Sequence, residues 1–247
     1  MWLVLCDSTD APARWAHDGL RRRGLEPIEL VTSDDLAHAR WDYRVGEGGV
    51  RVDVSLRDAR VLRNTSIRGT LNRLLHPPQG DMLLIQPSDR DYVFQELMAV
   101  FMSWLGALPE PILNTPAPEC LAGRTRSLAE WFWLAGNAGL PTYRLRVSSR
   151  EWQAAPSMHV RLPGLRTHIT TLFVVGDRVA GAPEAPAAIV EGARRLAALA
   201  RASLLGLEFT VGCCGEGWKL AGVSGMPDLR EGGDALLDAL ASVMRNG

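Results

Sequence analysis

At 247 residues, with 47% hydrophobic and 22% charged side chains, the chain has the composition of a globular protein and the length for one or two packed cores. A formal net charge of −1, with the arginines scattered along the chain, gives no electrostatic footprint for nucleic acid. The longest apolar run, Leu97 to Leu108, is too short to cross a bilayer, and the apolar start Met1 to Cys6 stops at Asp7, so neither a membrane span nor a signal peptide is expected.

The opening reads β-α-β. Trp2 to Cys6 is a buried strand, Ser8 to Asp10 offers an N-cap, Pro12 suits a first helical turn, and Ala13 to Arg23 runs on to the stop at Gly24. Glu26 to Val31 is the second strand. The turn after the first strand is Asp7-Ser8-Thr9-Asp10 and lacks the glycines that let a dinucleotide approach the backbone. Asp42 to Val45 and Val50 to Leu56 alternate apolar and polar residues about Gly46 to Gly49, which predicts a hairpin with one wet face. Gly69 to Leu75 is a further strand ending near Asn72, Arg73 and His76, where either basic side chain could meet a ligand anion or a neighbouring carboxylate.

Asp89 to Leu108 predicts a long helix whose apolar face, Val93, Phe94, Leu97, Val100, Phe101 and Trp104, belongs to the core. Pro111 to Asn114 is a short strand and Arg124 to Gly139 a Trp-rich and Ala-rich helix, with Trp131 and Trp133 both expected inside. Tyr143 to Val147 is a strand, residues 148–165 a Pro-containing connection, and Ile169 to Val179 a hairpin about Gly176-Asp177. Ala187 to Leu205 predicts a helix, Leu207 to Gly212 and Trp218 to Val223 a second hairpin, and Ala235 to Met244 a closing helix.

Four cysteines, Cys6, Cys120 and the adjacent Cys213 and Cys214, do not make a disulfide framework and fit a reducing, cytoplasmic setting. Cys213 and Cys214 with His168 or His159 could hold a soft metal or undergo redox chemistry, although a free cysteine also packs as a small hydrophobe. Lys219 is the only lysine; every other strongly basic side chain is arginine.

Several phrases, Asn72-Arg73-Leu74, Pro111 to Asn114, Gly139-Leu140-Pro141, Leu204 to Leu207, Leu220 to Pro227 and Asp228 to Gly233, stand in the order and spacing found in the ATP-grasp superfamily. The chain resembles its carboxylate–amine ligase branch, which includes glutathione-synthetase-like and peptide-tailoring enzymes. The resemblance implies an α/β protein: a Rossmann-like pre-ATP-grasp domain over residues 1–111, then a truncated ATP-grasp-like α+β domain over residues 112–247. Such ligases convert a carboxylate to an acyl phosphate that an amine then attacks, relying on lysines and Mg²⁺ to stabilise the phosphoryl oxygens.

Against that pattern, Gly222 and Ser224 stand where the family carries a metal-binding Glu and Asn, Arg124 and Arg126 replace a phosphate-contacting lysine, and residues 148–165 are too few for a nucleotide-covering lid. The expectation is a degenerate ATP-grasp-like protein without catalysis or a resident metal or cofactor. It would bind a peptide, a small anionic ligand or a protein partner, or self-associate through the surface left by the lid. The alternative is an ATP- and Mg²⁺-dependent carboxylate–amine ligase with an altered nucleotide site. Candidate ligand-binding residues are Asn72, Arg73, His76, Asn114, Arg124, Arg126, Arg166, His168, Glu208 and Lys219, with Glu208 at the strand position where the family often carries an Asp.

Overall fold

The computed structural model describes residues 1–47, 49–80, 84–143, 167–212 and 217–246. The expected connection at 148–165, most of the strand from Tyr143, and His159, Arg166, Cys213, Cys214 and Glu216 lie outside them.

Strand β1 (Trp2–Cys6) is buried along its whole length, as five consecutive apolar residues dictate for the centre of a parallel sheet. Helix α1 (Ala11–Arg22) follows, with Asp10 accepting from the Ala13 N–H at 2.9 Å and Pro12 in its first turn. With β2 (Ile28–Thr32), β6 (Gly69–Arg73) and the two-residue β7 (Ile112–Leu113), β1 forms an all-parallel sheet of order β2-β1-β6-β7. Between β2 and β6 come the short helix α2 (Ser33–Ala37) and an antiparallel sheet of β3 (Arg40–Gly46), β4 (Gly49–Ser55) and β5 (Val61–Arg63).

The two faces of β1 have different partners. Trp2, Val4 and Cys6 pack with α1, whereas Leu3 and Leu5 pack with the β4 valines and with helix α3 (Arg90–Gly106). Trp104, fully buried, meets Trp41 edge-on at 5.1 Å between ring centroids and Phe101 at 6.0 Å, pairings that add about 0.5–1.5 kcal/mol each beyond area burial. The core expectation for α3 holds for Phe101 and Trp104 only. Val93, Phe94 and Leu97 are half-buried and Val100 is 43% exposed, because the sheet covers only one side of a helix that is apolar nearly all round.

A second sheet, entirely antiparallel, has the order β11-β10-β8-β9, formed by β8 (Thr167–Val175), β9 (Arg178–Ala180), β10 (Leu204–Gly212) and β11 (Trp218–Ser224). One face, Leu172, Val174, Leu205, Leu207, Phe209 and Leu220, packs on α4 (Leu128–Asn137) and α5 (Ala187–Ala200). Two expectations are corrected here. Helix α5 ends at Ala200, not Leu205: Arg201 turns left-handed with φ 50°, and Leu204 and Leu205 open β10, where both faces of the strand can bury them. Trp131 is buried but Trp133 is 68% exposed, since residues two apart on a helix point to opposite sides.

Helix α6 (Gly233–Asn246) lies between the two sheets. Leu236, Leu237 and Leu240 share one cluster with Val4, Leu20, Phe173 and Val175. Its approach to α1 is close: a Cβ on Gly19 would stand 2.5 Å from Leu237 Cδ1, so only glycine fits there. Arg23 adds ion pairs to Asp234 (2.8 Å) and Asp238 (2.6 Å). Among the described residues no helix is long and apolar enough to cross a membrane.

Candidate functional site

Three of the sequence candidates meet in one buried knot where the two sheets join. Asn72, at the end of β6, donates from Nδ2 to the carbonyls of Asn114 (3.0 Å) and Leu121 (2.6 Å), and Asn114 returns a bond to the Asn72 carbonyl at 3.1 Å. Asn114, at φ 67°, also reaches the Gly225 carbonyl at 3.3 Å. Arg73 is only 5% exposed. It pairs with Asp10 at 2.7 Å and donates to the Pro227 carbonyl at 3.1 Å. These side chains are spent inside the protein; what they do is fix the loop 225–227 that follows β11.

Arg126 is committed in the same way, donating to the Ala200 carbonyl at 2.7 Å and stacking over Trp131. Burial, then the neighbouring Arg124, push its pKa below the usual guanidinium value. Arg124 is exposed and lies 3.8 Å from Glu130. His76 is exposed at the mouth of a cleft of about 570 Å³ outside the C-terminal ends of β1, β2 and β6, with Asp7, Ser33, Arg73 and Met226 among its lining. That is the place where open parallel sheets usually receive ligands. Asp7 is held in its ionised form: the Thr9 N–H and then the Thr9 hydroxyl bond its carboxylate, with Ser33 adding a third bond, and its pKa falls below the ordinary value.

Glu208 and Lys219 lie on the face of the antiparallel sheet turned away from α4 and α5. Along β10 the inward residues Leu205, Leu207 and Phe209 alternate with Gly206, Glu208 and Thr210. Glu208 is exposed and stands across from Thr171 on β8 and Gly222 on β11. A Cβ at Gly222 would come within 3.1 Å of Glu208 Oε2, so the glycine makes the hollow in which that carboxylate lies. Thr171 donates to Glu231 at 3.0 Å, bringing a second carboxylate to the same face. Lys219 is directly opposite Thr210, and its ammonium lies 5.6 Å above the ring of Tyr143. The Tyr143 and Thr210 hydroxyls are 2.7 Å apart.

This face therefore carries Thr171, Glu208 and Lys219 on its strands, Glu231 in the turn at Leu229–Gly232, and the Tyr143 hydroxyl, which the buried Thr210 holds. Sequence reasoning missed Thr171, Thr210, Tyr143 and Glu231 as site residues; Thr171 and Thr210 were marked only by alternation along the strands, and Glu231 only by its place in the phrase Asp228 to Gly233. His168 is in β8, paired with Val211 of β10. No group of three or more His, Cys, Asp or Glu suited to a metal occurs among the described residues.

No protein-family model and no curated protein matches the sequence. Solved structures do match it over its whole length. The macrocyclase MdnC of Microcystis aeruginosa MRC, bound with precursor peptide MdnA, superposes with a TM-score of 0.71 at 10% identity, covering 99% of each chain. A RiPP-associated ATP-grasp ligase of Chryseobacterium gregarium, in complex with ADP and a leader and core peptide, gives 0.68 at 9% identity over 97% of this chain and 96% of that one. The ligase PsnB, complexed with minimal precursor, Mg and ADP, gives 0.64 at 15% identity over 99% and 98%. The fold is ATP-grasp-like and mixed α/β.

Proposed function

We propose that this chain binds a peptide and, with ATP, joins a peptide carboxylate to an amine through a nucleotide site of altered composition. The observation that carries the reading is the likeness, over 97–99% of the chain, to a macrocyclase solved with its precursor peptide and to two ATP-grasp ligases solved with ADP and a peptide or minimal precursor. The open face of the antiparallel sheet is where the chemistry would take place.

Mg²⁺ in nucleotide sites keeps several waters and takes one or two carboxylates besides the phosphates. Glu208 in the hollow over Gly222 meets that minimum, and Glu231 is the second carboxylate on the face. When bound, the ion would neutralise the phosphates that develop charge during acyl transfer. Lys219 supplies a positive charge on the same strands, and the Tyr143 hydroxyl stands beside it, positioned by the buried Thr210. The buried knot holds the loop 225–227 against this face.

A second reading, a protein that holds its peptide without turning over ATP, is favoured by one observation: Gly222 and Ser224 occupy the two hairpin positions that carry metal ligands in the family it resembles. Calorimetric titration of ATP with Mg²⁺ separates the two. The ligase reading expects saturable binding that weakens in Glu208→Gln and slow ADP release that a peptide substrate accelerates. Absence of nucleotide binding in a folded preparation would leave the peptide-holding reading.

A further inference from the structure

The three-stranded sheet β3-β4-β5 ends on an open edge, and its sequence is complementary to itself. Strand β3 pairs with β4 over seven consecutive residues without a bulge, and no backbone partner lies on its other side among the described residues. The direction of its free groups can be read from β4. The Val52 N–H donates to Asn64 Oδ1 at 3.1 Å, and the Val50 carbonyl accepts from Asn64 Nδ2 at 2.9 Å, so these residues turn their backbone away from β3. In an antiparallel ladder their cross-strand partners, Tyr43 and Val45, must turn theirs the opposite way, towards the open edge. The edge has no proline and no bulge to blunt it.

The side chains sort by face. Trp41, Tyr43 and Val45 lie on the side of α3: Trp41 packs on Phe101 and Trp104, and the Tyr43 hydroxyl bonds Ser103. Tyr43 and Val45 remain 37% and 75% exposed. Asp42 and Arg44 lie on the other side. There Asp42 is directly opposite Asp53 and Arg44 directly opposite Arg51. Like charges facing each other across a ladder destabilise it, and each like pair is relieved within the chain, Arg44 donating from Nε to Asp42 at 3.1 Å and Arg63 lying 3.8 Å from Asp53.

We propose that β3 pairs antiparallel with β3 of a second copy about a two-fold axis through Tyr43, joining the two sheets into one. In that register Asp42 faces the other copy's Arg44 and Arg44 its Asp42. The acidic positions Asp42 and Asp53 then abut the other copy's basic positions Arg44 and Arg51, so the Asp42–Arg44 pairing made within one strand can also be made between the two. On the apolar face Tyr43 meets its own copy and Trp41 meets Val45, while the free N–H and C=O groups of Tyr43 and Val45 are satisfied. The interface is isologous, as a closed dimer requires. An unrelated peptide strand would use the backbone edge but would not need the charge register, and this distinction is what the test reads. The proposal is independent of ATP chemistry.

The experiment is the solution mass of the full chain and three variants, with circular dichroism to establish that each is folded. The wild type is expected at twice the 27.0 kDa chain mass. Asp42→Arg and Arg44→Asp each place like charges across the axis and are expected to run as monomers. The double variant Asp42→Arg/Arg44→Asp exchanges the signs, restores complementarity, and is expected to dimerise again. Tyr43→Pro, which removes the central N–H at a solvent edge, is expected to be a folded monomer. A monomeric wild type, dimers in every variant, or failure of the double variant to recover the dimer would each overturn the proposal.

Discussion

Arg73 and Glu208 are both charged residues on strands at the junction of the two sheets, and their surroundings are opposite. Arg73 is 5% exposed, with an ion pair and a backbone acceptor, whereas Glu208 stands in solvent across from Gly222. A buried, satisfied polar group is part of the scaffold; an exposed one on a rigid strand is free to take a ligand. The knot of Asn72, Arg73 and Asn114 is thus a support, and Glu208 is the exposed residue on which the proposed function rests.

The largest expected effect is in the support. Arg73→Leu would leave Asp10, itself 10% exposed, without its guanidinium, and should cost about 3–5 kcal/mol in denaturant unfolding. Asn72→Ala would orphan the carbonyls of Asn114 and Leu121, at about 1–3 kcal/mol for each acceptor left unsatisfied. If either variant unfolds like the wild type, the scaffold assignment is wrong. Glu208→Gln sharpens the other half: stability should change by no more than about 0.5 kcal/mol. Its affinity for ATP with Mg²⁺ should fall at least about tenfold, or ~1.4 kcal/mol. Equal nucleotide affinity in the two proteins would remove Glu208 from the site.

The smallest effect is a pH dependence at Asp7. Its folded pKa is depressed by the Thr9 and Ser33 bonds, so its contribution is present above the unfolded carboxylate pKa and is lost as pH falls through the folded value. The melting temperature of Asp7→Asn should therefore lie slightly below wild type at neutral pH and converge with it in acid. A constant difference across that range would show that the carboxylate charge is not the cause.

Much of this architecture is legible in the residues. β1 reads as an unbroken apolar run, and β3 and β4 as alternation about glycines. The β10 and β11 hairpin follows from two strand-dense segments with a glycine turn between them. The family phrases lead to the correct fold. What sequence could not supply is burial: Asn72, Arg73 and Asn114 look like ligand residues until their partners, contributed by segments 42 to 154 residues away, are in place. The same holds for the outer side of α3, where an apolar composition fits a core helix but the sheet covers only one flank. Leu204 and Leu205 look helical because an Ala-rich helix runs into them, and only sheet pairing with Val175 and Val174 decides otherwise.

The position of α6 also governs the order in which the chain can fold. Trp2 Nε1 donates to the Met244 carbonyl at 3.2 Å, and Leu20 on α1 is buried in the cluster completed by Leu236, Leu237 and Leu240. During synthesis β1 and α1 leave the ribosome long before α6 exists, so the cluster they share stays only partly covered until α6 follows. A nascent chain arrested before residue 233 should bind hydrophobic dyes and chaperones, because the cluster around Leu20 waits for α6 to cover it.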